Sequence, residues 1–277
     1  MRIDVCCFYG AFGTSNHTLT GLRKHRETSR LDRMLVAPIG AAAASVGGED
    51  RQEPDANTDV LQLHRLEPQC EAWYWARPTA ADHDIHAVAG ALQSEAFRGV
   101  FLAPEMNDFA LDDRHLNPLL EVCARVDTPV MVWVGERADA RPTRLLTWMN
   151  GLTARVTWIL HGGAKPNLRR ETAEVARRIA ARRDGRVYVT TAGGDLAGIQ
   201  LFVEKLGAKR ILLGTGGGGE YAEDVLRPAT QLRELRAGLS DESFAAICGE
   251  NASGLFATWL FDGGKTAAKA AVAVPAQ

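Results

Sequence analysis

Eight short apolar runs, each followed by a stretch with helical periodicity, constrain this chain more than any other feature. They occupy residues 2–8, 34–39, 73–77, 99–103, 130–134, 156–161, 187–191 and 211–215. Most are rich in Val, Ile and Leu without strict alternation, as expected of parallel strands buried on both faces. Eight strands alternating with helices predict an α/β fold, a single (β/α)8 TIM barrel, whose functional residues lie at the C-terminal strand ends. Those ends carry Cys6, Phe8, Trp133, His161 and Gly216.

Between the runs, Leu116, Leu119, Leu120, Cys123 and Val126 fall on one face of a helix that stops before Thr128-Pro129. Leu168, Thr172, Val175 and Ile179 line a second helix, and Arg169, Arg170, Arg177, Arg178, Arg182 and Arg183 form its other face. That arginine face reads as a solvated surface, with an acidic partner surface as the alternative. Residues 40–57, with four consecutive alanines and Gly47-Gly48, are expected to form a loop leading into a helix. Two helices near the end, over 241–247 and 251–261, are expected to close the base or flank of the barrel. The chain is expected to form one domain over 1–262, followed by an Ala-rich tail over 263–277.

At 277 residues the length suits one barrel. A net charge of -2 argues against nucleic acid and anionic membranes as partners. No apolar stretch reaches the roughly 18 residues that span a bilayer. The opening Met1-Arg2-Ile3-Asp4 lacks the apolar core of a secretory signal, and five cysteines without CxxC spacing do not suggest a disulfide framework. A soluble, cytoplasmic protein is expected.

Six segments in register resemble the amidohydrolase superfamily, in the amidohydrolase-related branch that includes aminocarboxymuconate-semialdehyde decarboxylase. Ile3-Asp4-Val5-Cys6-Cys7-Phe8 resembles its first-strand IDxHxH, and 97–103 with Leu111-Asp112-Asp113 and Leu116-Asn117-Pro118-Leu119-Leu120 its fourth strand and following helix. Pro129–Gly135 resembles PVxxHxG, Ile159-Leu160-His161-Gly162-Gly163 xxxHxGG, 210–216 RxxxGTD, and Ile247–Ala252 the closing ILxxNA. The resemblance implies that the family's metal-ligand positions fall on Cys6, Phe8, Trp133, His161 and Gly216. Of these His161 alone keeps the family's residue, so no metal and no other cofactor is expected. Period-2 alternation places Asp4, Cys6 and Phe8 on the inner strand face and Val5 and Cys7 on the outer one.

His161 is the candidate acid or base, or else a histidine retained for packing. Cys6 is a candidate nucleophile if His161 lowers its pKa, or else an inert buried thiol. Trp133 reads as a core filler or a stacking platform at the mouth. Glu105, Asn107 and Asp108 after the fourth run, with Tyr9 after the first, are expected to line the pocket. Gly193-Gly194 and the run Gly216-Gly217-Gly218-Gly219 follow the last two strands, where many barrels bind phosphate through backbone N–H groups. His17, His25, His64, His83, His86 and His115 fall in helices or loops away from strand ends; His83 and His86, at i, i+3 spacing, could share a helix face and read as a solvated surface pair.

Two functions from different classes follow. The first is a non-catalytic partner subunit or small-acid binder, pairing with an active amidohydrolase paralogue or with a second copy of itself. The second is a metal-independent hydrolase or lyase acting on a small carboxylate or lactone. The superfamily includes metal-free lactonases that keep an acid on the last strand; Gly216 stands there, so His161, Glu105 or Glu220 would have to replace it.

Overall fold

The computed structural model describes residues 1–45, 53–77, 85–93, 97–149, 155–182 and 185–257. Its strands are β1 (Ile3–Phe12), β2 (Ser15–His17), β3 (Arg33–Pro38), β4 (Cys70–Ala76), β5 (Phe97–Leu102), β6 (Val130–Trp133), β7 (Trp158–His161), β8 (Val187–Thr190) and β9 (Ile211–Leu212). The helices are α1 (Leu19–Ser29), α2 (Glu53–Leu66), α3 (Ile85–Gln93), α4 (Pro104–Asn107), α5 (Asn117–Arg125), α6 (Arg144–Met149), α7 (Arg169–Ala180), α8 (Leu196–Leu206), α9 (Ala222–Gly238), α10 (Asp241–Ala245) and α11 (Asn251–Leu255).

All eight expected strands form, and β1 and β3 to β9 pair in parallel and in chain order. The sheet closes where the segment after β9 meets β1. Val5 N donates to Leu213 O (2.8 Å), Gly216 N to Cys6 O (2.8 Å) and Phe8 N to Gly217 O (2.9 Å). The fold is a (β/α)8 barrel, as expected. β2 was not foreseen: β1 runs on to Phe12 and folds back as an antiparallel hairpin, pairing Gly10 with His17.

One expectation about β1 is corrected. Asp4 pairs with Met34 but Cys7 with Val36, so β1 holds one residue more than β3 across this stretch. Such a bulge breaks the alternation. Val5 and Cys6 both join the inner core, while Asp4 turns outward to His25 on α1. Cys6 and Phe8 face inward and Cys7 outward, as expected. Trp73 Nε1, from β4 two strands along the sheet, donates to Val5 O at 2.7 Å.

The outward Asp4 is the centre of the seam. Its Oδ1 accepts from Cys6 N (3.0 Å) and Thr215 N (3.1 Å), and its Oδ2 from Thr215 Oγ1 (2.5 Å) and His25 Nε2 (2.9 Å). Ser29 Oγ lies 3.4 Å from His25 Nδ1 and completes the chain. Asp4 and His25 are fully buried, so each needs these partners. His25, on a helix as expected, is therefore a core residue. α1 reaches this seam because two glycines meet there: a Cβ on Gly21 would lie 2.2 Å from Gly218 O.

Inside the barrel, Trp73, Met131, Ile159 and Leu212 fill the lower layers, and Trp75, Phe101 and Phe8 the upper. Phe256 meets Trp73 edge to face (6.0 Å, 76°) beneath them. At the strand starts, Glu71 is buried and accepts from both Arg33 and Arg98. The helices expected near the end join into one helical stretch, because a π-helical turn over Ala246–Glu250 links α10 to α11. Asn251 ties that stretch to the barrel through the carbonyls of Ala208 (2.8 Å) and Ile211 (2.7 Å). The segment over 40–57 is also corrected in part: Ile39–Ser45 is a 3-10 helix with Ala41 and Ala42 buried, and α2 begins at Glu53. His83 and the tail over 263–277 lie outside the described residues.

Truncating Asp4 leaves two backbone N–H groups, a hydroxyl and an imidazole without their acceptor. Asp4→Ala should cost roughly 3 kcal/mol or more of unfolding free energy, read by urea denaturation. A loss under about 1 kcal/mol, typical of an exposed pair, would remove Asp4 from its place at the seam.

Candidate active site at the barrel mouth

His161 ends β7 and is buried, 2% exposed. Its Nε2 lies 3.6 Å from Cys6 Sγ and its Nδ1 3.2 Å from Thr190 Oγ1. The Thr190 hydroxyl also accepts from Ala192 N at 3.4 Å. These partners suit the neutral tautomer that carries its proton on Nδ1 and accepts the thiol proton at Nε2. Burial pushes the His161 pKa down to about 4, with the Asp4 charge opposing and Lys165 adding to the effect. Burial and then the Asp4 charge push the Cys6 thiol well up. The structure therefore brings Cys6 and His161 together, but as a neutral thiol and a neutral imidazole. Thiolate formation is opposed by the same burial that creates the contact.

Aromatic rings enclose the pair. Phe8 stacks on Trp133 at 5.0 Å and 18°, and His161 meets the edge or face of Phe8 (6.1 Å), Trp133 (5.6 Å) and Phe101 (6.3 Å). Phe101 in turn packs on Trp75 at 4.8 Å. Trp133 is thus both a filler and a partly open platform, since Phe8 is buried while the indole is only half-buried. His17 on β2, expected in a helix or loop away from the strand ends, packs on Phe8 at 5.7 Å and so belongs to the mouth.

The remaining candidates are dispersed. Glu105 Oε1 accepts from Arg137 N (2.8 Å), and Asp108 Oδ1 and Asp139 Oδ2 each accept from Arg137 Nη2 (2.7 Å). These acids clasp the loops after β5 and β6. Asn107 holds Trp75 Nε1 (2.6 Å) and the Ala41 carbonyl (3.3 Å), which occupies both ends of its amide. Tyr9 faces the outer core because β1 continues through it. Gly216 N and Gly217 N donate to Cys6 O and Thr215 Oγ1, so these amides serve the seam. Gly218 lies there too, its carbonyl accepting from Thr18 N (3.2 Å). Gln231 Nε2 donates to the carbonyls of Thr191 (2.8 Å) and Gly194 (2.9 Å), holding the Gly193-Gly194 loop from behind. Glu220 accepts from Thr18 Oγ1 (2.7 Å) and Asn16 Nδ2 (3.2 Å) at the hairpin. His64 bonds the Cys70 carbonyl (2.7 Å), His115 pairs with Asp113 (2.8 Å), and His86 is exposed.

Thr190, Phe101 and Lys165 were absent from the expected site. Thr190 and Phe101 sit inside the seventh and fourth apolar runs, on the inner face that alternation assigns. Lys165 lies in the loop after β7, and surveying cations in every strand-end loop would have found it.

The sequence profile of the amidohydrolase family matches residues 19–257. The chain belongs to that family. The match begins after β1 and β2, the part of the barrel that carries Cys6 and Phe8. No curated protein sequence matches the chain. Among solved structures it is similar to 5-carboxyvanillate decarboxylase from Sphingomonas paucimobilis (TM-score 0.64, 12% identity, 92% of this chain and 98% of that one). It is also similar to 2,6-dihydroxybenzoate decarboxylase from Rhizobium (0.69, 12%, 93% and 99%). A third is a probable 2-pyrone-4,6-dicarboxylic acid hydrolase from Acinetobacter baumannii with citric acid bound (0.67, 13%, 92% and 99%).

Amidohydrolase-family barrels imply a metal at the strand ends. Here the residues do not fit one. A catalytic zinc takes three protein ligands, whereas this mouth offers Cys6 Sγ and His161 Nε2, which bond each other, beside a stacked Phe8–Trp133 pair. Another set of ligand-type atoms, on Asp4, Cys7 and His25, lies within 4.8 Å outside the barrel wall. There both Asp4 oxygens are already taken by the seam.

The depressed His161 pKa has a pH consequence. In the unfolded chain the imidazole protonates near 6.5, and in the fold near 4, so the fold disfavours the proton. This contribution, about 3 kcal/mol, is present above pH 6.5 and is lost as pH falls toward 4. Urea denaturation of wild type and His161→Gln should show this slope in wild type alone. An NMR titration of His161 with a midpoint above pH 6 would refute it.

Proposed function

We propose that this amidohydrolase-family barrel binds a small carboxylate at its C-terminal mouth without metal-assisted hydrolysis or decarboxylation. The observation that carries this reading is the Phe8–Trp133 stack, which places apolar rings among the strand-end positions where the family resemblance puts metal ligands. The neutral Cys6–His161 pair agrees with it, because neither group is charged at neutral pH to act as nucleophile or anchor. Support for the ligand class comes from relatives named for 5-carboxyvanillate, 2,6-dihydroxybenzoate and pyrone dicarboxylic acid, one of them solved with citric acid. A small-acid binder of this kind could serve as the partner of an active paralogue. Large exposed apolar side chains among the described residues are Met1, Leu66, Tyr221 and Leu226, on separate elements except for the last two.

A second reading, a metal-independent hydrolase or lyase, is favoured by the hydrogen-bonded order Cys6, His161, Thr190, which would let His161 pass a proton. It requires turnover that His161→Gln abolishes.

Elemental mass spectrometry of protein purified without chelator should find metal far below one ion per chain. Thermal unfolding should rise with a bound carboxylate and stay unchanged with added zinc or manganese. A stoichiometric metal that disappears in His161→Ala would overturn the proposal.

A further inference from the structure

We propose that the indole N–H of Trp133 and the ammonium of Lys165 form the carboxylate-binding subsite of this mouth. The inference rests on the small-carboxylate reading above and assigns that ligand its contacts. Trp133 ends β6, and its Nε1 lies 3.1 Å from where a Cβ on Gly162 would stand, directly beyond the end of β7. Lys165 follows in the same loop and is half-buried. Its stem crosses Gly193, just past β8: a Cβ there would lie 2.8 Å from Lys165 Cγ and 3.4 Å from Cε. Gly193 has φ 71°, so glycine both adopts the left-handed backbone and leaves room for the lysine stem.

Neither donor has an acceptor. Among the described residues nothing hydrogen-bonds Trp133 Nε1, and nothing hydrogen-bonds or ion-pairs with Lys165 Nζ. The acids that could neutralise the lysine are engaged elsewhere. Asp195 is held by Arg169 (2.8 Å) and by Gly198 N (2.7 Å), and Glu105 by Arg137 N (2.8 Å). The arginines that follow β6 are paired: Arg137 with Asp108 and Asp139, Arg141 with Glu171, Arg144 with Asp112. Trp133 ends β6 and Lys165 lies in the loop after the neighbouring β7, so a half-buried indole N–H and a half-buried ammonium are left open at adjacent strand ends, two donors for one anion. The open part of the Trp133 ring adds a surface for an apolar or aromatic body attached to that carboxylate. Lys165 also lies close enough to oppose protonation of His161.

The test is calorimetric titration with benzoate and with benzamide, which has the same ring without the charge. Wild type should bind benzoate at least about tenfold more tightly than benzamide, the scale of one charge-assisted hydrogen bond. Lys165→Met should erase that preference, and Trp133→Phe, which keeps a ring against Phe8, should weaken benzoate by about threefold or more. Circular dichroism melts confirm that both variants fold. Benzoate binding unchanged in Lys165→Met would overturn this assignment and leave the small-carboxylate reading standing. Failure of benzoate, acetate and citrate alike to bind wild type would overturn both.

Discussion

The rest of the structure depends on a single buried carboxylate. A barrel is a sheet that must meet itself, and here the last parallel strand is only two residues long. Asp4 supplies what that short strand lacks. It gathers the amide of Cys6, the amide and hydroxyl of Thr215 and the imidazole of His25 around one pair of oxygens. The same contact joins β1, the segment after β9 and α1. Because Asp4 turns outward, the bulge that follows turns Cys6 inward, which sets both its distance to His161 and the position of Phe8 in the stack.

The glycine run takes its meaning from this seam. Four glycines after the last strand suggested a phosphate cradle, a geometry that needs free amides. In the structure Gly217 and Gly218 let the chain lie against β1 and α1 at distances that a side chain would block, a Cβ on each meeting His25 at 2.6 Å and Phe8 O at 2.5 Å respectively.

Much of the architecture was legible in the residues. The eight apolar runs mark eight strands because burial on both faces leaves a hydrophobic signature that no surface segment shares. Where reading failed, the cause was long-range. Nothing in Ile3–Phe8 announces a bulge, since its stabilising partners, Thr215 and His25, lie far along the chain. The hairpin over Ser15–His17 is too short and polar for periodicity to reveal, so His17 was assigned to a helix or loop. Within the site, His161, Cys6, Phe8 and Trp133 were found together because family resemblance points at strand ends. Glu105, Asn107 and Asp108 were assigned to the mouth by position, but their partners (Arg137, and Trp75 with Ala41) are set by tertiary contacts that sequence position does not encode.

The stacked pair also limits what the mouth can become. Placing histidines at positions 8 and 133 would replace a packed apolar pair by two polar rings beside His161. Until a metal arrived to pair them, such a chain would hold unsatisfied groups beside His161, and each single step would be less stable than its parent. Gly216 would have to change as well, at a backbone φ of 70° that side chains resist. A family-type ligand set at this mouth would thus need several coordinated changes at once, with no stable intermediate one residue at a time.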